Sequence, residues 1–488
     1  MSEQVAGILA RAQACRDAGD WRQAILLFRQ ARELAPASGS IDHNLALSHF
    51  ALGEAAKAAE FAGAALRKAP RQWQSRAVLA KVERSLGRAV RAHEEWTLVL
   101  REVPGNPLAL AGLADIEMNE FGDPEAASAL VRPLLADPAS RADAELTSLM
   151  AGLYLGEERA EALSARLRAF SEAHLRLPPF PPRQPRTGRR RIGLISPLFS
   201  ASPVYYLTYS IFAAIGGAHD LIFFNRGSRS DDATRSFREI AAEWHEVGAL
   251  EPPALAQTLR GADIDILFDL GGWADVPALA ALSAKPAARM YKWVGGQSAT
   301  TGLSMFDGWI GDEWQSPPEL APLYAEPVVN MVGGYIDYAP PPALARLRDL
   351  PKHGVGLVGN PAKIGPKTIA AWPSGVDTVR LIDRRYKHEK PLARITALLA
   401  AAGIKVEEVI VPQGHDSYLR ALGSCEAIVN TQPYAAGLTA VEAHHLGVRL
   451  LSGGEAGALF CSRHHLSHER TGGRNPRLAG QMLKLVSE

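Results

Sequence analysis

The sequence predicts an α + α/β chain: an N-terminal helical solenoid followed by two Rossmann-like α/β domains. Three observations carry that prediction. The first is a 34-residue step through the opening third, kept by Pro36, Pro70, Pro104 and Pro138. The same step links Ala12, Ala46, Ala80 and Ala114, then Ala24, Ala58, Ala92, Ala126 and Ala160, and Gly19, Gly53 and Gly87, followed by Gly122 and Gly156. The second is a proline-rich break, LPPFPPRQPRTGRRR, from Leu177 to Arg191. The third is the texture beyond it, where short apolar or β-branched runs alternate with amphipathic helices, the pattern of parallel sheets with helices on both faces.

The period and its residue types are the tetratricopeptide signature. Each unit reads as a helical hairpin. Paired alanines let the two helices approach closely, glycine breaks the chain between them, and proline ends the second helix. A fifth unit around Gly156 lacks its proline and reads as a degenerate cap. Residues 1–177 are thus predicted to form a repeat arm, a concave surface suited to holding another protein.

Residues 178–190 are predicted to be a linker, since their prolines forbid helix and the basic tail stays solvated. Strands are expected at Arg191–Ser196, Asp220–Phe224, Ile264–Leu270 and Met290–Trp293. A second set is expected at Val355–Val358, Thr378–Ile382, Glu407–Val411, Ala427–Val429 and Val448–Leu451. The two blocks, residues 191–340 and 351–488, are joined by YAPPPALARLRDLP and make two facing Rossmann-like halves. Ligands of such sheets bind at the carboxyl ends of the strands, so the cleft between the halves is the expected site.

Composition narrows the class. A chain of 488 residues suggests about three domains. A formal charge of +1 and a pI near 7.8 advertise no nucleic-acid partner. Cys15, Cys425 and Cys461 are few and unpatterned, as in a reducing compartment. MSEQVAGILARAQ has no basic segment leading into an apolar run, and no apolar stretch reaches about 18 residues. A soluble cytoplasmic protein with no membrane partner is expected.

Four segments near the expected strand ends carry a resemblance: RIGLISPLFSASPVYYL; DILFDLGGWADVPALAALSAKPAARMYKWVGGQSATTG; FDGWIGDEWQSPPELAPLYAE; and, in the last block, GNPAKIGPKTIAAWPSG with NTQPYAAGLTAVEAHHLGVRLLSGG. In order and spacing they resemble glycosyltransferase family 41, the protein O-GlcNAc transferases and SPINDLY-type proteins, over essentially the whole chain. The resemblance implies a GT-B architecture and an inverting, metal-independent transfer of sugar from a nucleotide-sugar donor to Ser or Thr of a protein docked on the repeat arm. No cofactor beyond the donor is implied.

Lys363 stands where the family has its phosphate-contacting lysine, a role suited to a cation near a leaving diphosphate; by itself it reads as a surface lysine on a loop. Gly437, Leu438 and Thr439 form a turn opening a helix expected at Ala440–Gly447, whose N–H groups offer an anion site or an ordinary loop-to-helix joint. Glu442 takes the place of the family's aspartate near the nucleotide ribose, or serves only the helix dipole. The family's donor-side histidine aligns with Tyr418, while His415, three residues away, could take over. Asp269 either lines the cleft or caps a helix. Trp293, Gly295 and Thr301 match the family's interdomain loop at the acceptor side, although Trp293 also reads as core. Asp231, Asp232 and Arg238 read as structural. The His444-His445 and His464-His465 pairs lack metal-ligand spacing, so no metal is expected.

The departures matter equally. The family's active-site histidine before proline is Ser202, its L-D-T aspartate is Asn430, its asparagine–glycine pair is Ala435-Ala436, and Leu438 replaces a threonine. The general base is left unassigned. The donor expected from the resemblance is UDP-GlcNAc or, as in flagellin-modifying relatives, a CMP-nonulosonate. The rival reading is a degraded glycosyltransferase fold acting as a scaffold.

Overall fold

The structure is a computed structural model that describes residues Ser2–Glu488. By its contacts the chain divides into two compact units, Met1–Ala151 and Gly152–Glu488.

The first unit is built of helical hairpins: α1 (Glu3–Asp17) with α2 (Trp21–Leu34), α3 (Gly39–Ala51) with α4 (Ala55–Lys68), α5 (Trp73–Ser85) with α6 (Ala89–Glu102), and α7 (Pro107–Ile116) with α8 (Pro124–Val131). The periodic Ala12, Ala24, Ala46, Ala58, Ala80 and Ala92 are fully buried, as close helix packing requires. Gly19, Gly53 and Gly87 turn each hairpin at φ +77, +74 and +73, a left-handed conformation that other residues enter only with strain. The step from Gly87 to Gly122 is one residue longer than the period. A π-helical turn, Glu117–Phe121, follows α7 and takes up that residue, so Ala127 rather than Ala126 is the fully buried alanine of α8.

The unit boundary falls within α9 (Arg141–Leu155). Helix α10 (Ala160–His174), counted with the repeats by its sequence, belongs to the second unit. Arg168 donates to the carbonyls of Pro322 and Tyr324 at 2.6 and 2.7 Å, and the Ser171 hydroxyl donates to Thr301 O at 2.6 Å. The fifth hairpin is therefore not a plain solvent-facing cap. The proline-rich stretch holds no helix, and its basic tail is only partly solvated, with Thr187–Arg189 exposed. Arg183 and Arg186 pair with Asp263, and Arg190 is buried, donating to Val486 O and Ser487 O at 2.9 and 2.8 Å.

The first half of the second unit is a seven-stranded parallel sheet: β1 (Arg191–Ser196), β2 (Asp220–Asn225), β3 (Glu243–Glu246), β4 (Ile266–Asp269), β5 (Arg289–Lys292), β6 (Gly308–Gly311) and β7 (Val328–Asn330), in the order β3-β2-β1-β4-β5-β6-β7. Its helices are α11 (Pro203–Ala218), α12 (Asp232–Glu239), α13 (Pro252–Gly261) and α14 (Val276–Leu282). After α15 (Pro342–Leu347) comes the second half, with β8 (Val355–Val358), α16 (Pro366–Ala370), β9 (Thr378–Ile382), α17 (Glu389–Ala401), β10 (Lys405–Ile410), α18 (His415–Gly423), β11 (Ala427–Val429), α19 (Leu438–His445), β12 (Arg449–Leu451), α20 (Phe460–Thr471) and α21 (Leu478–Ser487). Its five parallel strands run β10-β9-β8-β11-β12. The expected α + α/β class is thus the observed one.

In both sheets the order reverses beside the first strand, between β1 and β4 and between β8 and β11, and such reversals open a crevice at the carboxyl ends of the strands. The loops there carry Ser202 and Asp269 in one half, Lys363 and Ala435–Gly437 in the other. One apolar core runs through both halves, from Ile192 and Phe268 to Ile428 and Val441. Helix α21 closes it by packing on α11, with Leu478, Met482 and Val486 fully buried. Among the described residues no helix is long and apolar enough to cross a membrane.

Candidate functional site

Ser202 starts α11 in an extended conformation at φ −152, with Pro203 at the first helical position, where a missing N–H costs nothing. Its hydroxyl donates to Leu198 O at 2.8 Å. Asp231 caps α12 and also accepts from the backbone N–H of Ala201, at 3.0 Å to Oδ2, which fixes the loop just before Ser202. One helical turn beyond, Tyr206 lies on the same face of α11 as Ser202.

In the second half, Asn360 accepts from Ala362 N at 3.1 Å, and Arg394 donates to Pro361 O at 2.7 Å, shaping the loop after β8. Lys363 leaves this loop half-buried. Its amine donates to Ala435 O at 3.0 Å and lies 4.4 Å from the centre of the Tyr434 ring. Burial pushes its pKa down to about 8. Asn430, at the end of β11, accepts from Ala436 N at 2.9 Å, and Thr431 donates to Tyr434 O at 2.6 Å. These bonds fold the loop that leads into α19. The loop is tied across the cleft by Tyr434 and Ser298, whose hydroxyls are 2.9 Å apart.

A cavity of about 350 Å³ lies where the halves meet, lined by Ser202, Pro203 and Tyr206 from the first half and by Asp383, Gly414, His415, Tyr418 and Leu438 from the second. Arg229 and Arg384 bring positive charge to its wall. Lys363 is not in that wall and stands behind the Tyr434–Gly437 loop. Helix α19 begins at Leu438 rather than at Ala440, so its first turn reaches the cavity.

Glu442 is fully buried and stands outside the cavity wall. Its carboxylate lies 2.7 Å from His415 Nε2, while His415 Nδ1 is 3.1 Å from the Tyr206 hydroxyl. Burial raises the Glu442 pKa and the His415 contact opposes that rise. Tyr418 and Thr439 share a hydrogen bond of 2.9 Å between their hydroxyls. Both candidates for the donor-side position, His415 and Tyr418, therefore line the cavity, and both contact the Glu442 carboxylate behind it.

Four other first-half candidates, Trp293, Asp269, Gly295 and Thr301, are buried. Trp293 is fully buried against Phe212 and Phe268 and donates from its indole to Tyr335 O at 2.9 Å, so its core reading holds. Asp269 is fully buried and accepts from the N–H groups of Gly271 and Gly272 at 2.9 and 3.1 Å. Gly295 packs backbone to backbone: a Cβ there would lie 2.0 Å from Leu270 O. Thr301 is buried and donates from its N–H to Glu326 at 2.7 Å. Among the described residues no group of three or more His, Cys, Asp or Glu could hold a metal ion.

Sequence reasoning missed Tyr206, Arg229, Arg384 and the buried Lys292. Two signals were available: Tyr206 follows Ser202 at helical spacing, and Arg384 follows the carboxyl end of β9, where ligands of such sheets bind.

No family model matches the chain. The SPINDLY protein of Arabidopsis thaliana, described as a probable UDP-N-acetylglucosamine–peptide N-acetylglucosaminyltransferase, is 25% identical over 276 residues, covering 53% of this chain and 30% of that protein. The SEC protein of the same plant, described in the same terms, is 28% identical over 145 residues, covering 29% of this chain and 15% of that protein. The chain thus matches less than a third of the length of these curated relatives. The O-GlcNAc transferase of Thermobaculum terrenum superposes with a TM-score of 0.60 at 22% identity, covering 99% of this chain and 89% of that one. This chain has the O-GlcNAc transferase fold. Within that fold, the interdomain crevice is the place where Ser202, Tyr206, His415 and Leu438 meet.

Proposed function

We propose that the protein is a glycosyltransferase that moves a sugar from a nucleotide-sugar donor to a Ser or Thr hydroxyl of a protein, with the repeat arm holding the acceptor. The supporting observation is the convergence of two strand-order reversals on one cleft whose second-half wall has a desolvated lysine behind it and a helix N-terminus within it. At the start of α19 the Ala440 N–H donates to Gly437 O at 2.9 Å, which leaves those of Leu438 and Thr439 for an anion, and the dipole there favours negative charge. Lys363, released from Ala435 O, supplies a cation to the departing phosphate. The acceptor oxygen attacks the anomeric carbon as the bond to phosphate breaks, with inversion and with charge neutralised by Lys363 and the helix amides rather than by a metal. UDP-GlcNAc is the first donor to test. A second reading, a CMP-nonulosonate transferred to flagellin, draws on Arg229 and Arg384, whose charge suits an acidic sugar.

Lys363→Ala is expected to melt like wild type and to lose about 10²–10³-fold in transfer rate, the usual cost of removing one charge-stabilising group. In the wild type, nucleotide affinity is expected to fall as pH rises through about 8, because the empty site then loses its cation. Undiminished transfer by Lys363→Ala would remove the phosphate role.

A further inference from the structure

We propose that Tyr206, His415 and Glu442 form the proton relay of the transfer reaction, with the Tyr206 hydroxyl taking the proton from the attacking acceptor. The inference rests on the glycosyltransferase reading and adds the base that Ser202 does not supply, since the Ser202 hydroxyl donates to Leu198 O, a carbonyl that cannot take up its proton. The three side chains form one hydrogen-bonded line across the cleft. Tyr206 comes from α11 of the first half, His415 from α18 and Glu442 from α19 of the second. Tyr206 and His415 stand in the cavity wall, and Glu442 is fully buried behind them.

The carboxylate in that wall, Asp383, accepts from the backbone N–H of Arg385 at 2.8 Å and from its guanidinium at 3.2 Å. His415 is the histidine of the wall.

The chain of bonds fixes the direction of proton flow. Nε2–H of a neutral His415 donates to the Glu442 carboxylate, which leaves Nδ1 as the acceptor for the Tyr206 O–H. As the acceptor oxygen bonds to the anomeric carbon, the nucleotide leaves with the electron pair of the broken carbon–oxygen bond. The acceptor's proton passes to the Tyr206 oxygen, whose own proton moves to His415 Nδ1. The imidazolium formed is held by Glu442 and returns its proton to water after product release. Burial and the nearby Glu442 push the Tyr206 pKa up to about 12, which keeps it a phenol able to pass a proton on rather than a standing anion. The charged and titratable groups facing the relay are Tyr418 and Asp416 from α18, Tyr205 from α11, Asp231 at the start of α12, Tyr338, and Arg229, Asp383 and Arg384 in the cavity wall.

The test uses UDP released from UDP-GlcNAc, and CMP released from a CMP-nonulosonate, with water as acceptor. Tyr206→Phe keeps the ring and removes the hydroxyl. It is expected to melt as wild type, to lower kcat by about 10²-fold or more, and to leave KM within about threefold. Glu442→Gln removes the charge that holds the imidazolium formed during transfer, so it is expected to lower kcat by about tenfold and leave KM within about threefold. A Tyr206→Phe variant with wild-type kcat, beside an inactive Lys363→Ala, would overturn the relay and leave the transferase reading standing. Wild-type protein that neither binds nor turns over either donor would overturn both.

Discussion

Lys292 lies fully buried at the end of β5, where its amine donates to the carbonyls of Asp269 and Gly295 at 3.1 and 2.5 Å and stands 3.6 Å from the Asp269 carboxylate. Burial pushes its pKa down, and Asp269 opposes the shift. The pair joins the loops after β4 and β5. It holds Gly295 and Gly296 so close to Leu270 and Gly271 that a Cβ on either glycine would come within 2.0 Å of a carbonyl oxygen. Lys292→Met would strand the Asp269 carboxylate with only backbone donors, and breaking a buried pair from one side costs about 3–5 kcal/mol. Urea unfolding should show that loss. A combined Asp269→Asn and Lys292→Met chain should cost less than the sum of the two single changes, because each removes the same interaction. Strictly additive costs would show that the two residues act separately.

Helix α20 carries three histidines in a polar run, of which His465 and His468 are buried and His464 is half-buried. His464 packs edge-on against Phe460 at 4.9 Å between ring centroids, and His468 stacks on Tyr335 at 6.4 Å. Burial lowers all three, His465 to about 4 and His468 to about 3. A histidine whose folded pKa lies below its unfolded value is neutral in the native chain while the unfolded chain takes up protons. Stability is therefore full above about 6.5 and drains as pH falls toward about 4. The melting temperature is expected to drop across that window, and His468→Asn should flatten the drop; an unchanged slope would show that the carboxylates, not α20, set the acid limb. Other elements were legible to different degrees. Strands β1, β2, β8 and β9 are compact apolar runs, and their sequence bounds match closely. Strand β3 is the charged EWHE at a sheet edge, β6 is a glycine-bounded GWIG and β7 is three residues long, so none carries a periodicity that could be read.

At the scale of the whole molecule, the two α/β halves share one core and exchange a helix: α21 follows the second half in sequence and packs on α11 of the first. That exchange anchors the helix bearing Tyr206, whose carbonyl also accepts from Ala339 N at 2.9 Å. It explains how far the site could be read in advance. Lys363, His415 and the Gly437 turn sit in local motifs, so their types and neighbours pointed to them. The contact of Tyr206 with His415 spans 209 residues and exists only once the halves are joined. Glu442 was legible as a carboxylate, yet its partner was not, because burial beside His415 is a product of packing.

The transferase reading requires that this cleft bind a nucleotide sugar. Calorimetric titration of the whole chain with UDP, UDP-GlcNAc, CMP and a CMP-nonulosonate tests it most directly, paired with melting curves. A ligand held only by the native state at a hundred times its Kd adds about 2.7 kcal/mol to stability. The expected result is saturable binding and a raised Tm with one nucleotide series, weakened in Lys363→Ala. No heat and no shift with any of the four would contradict the claim.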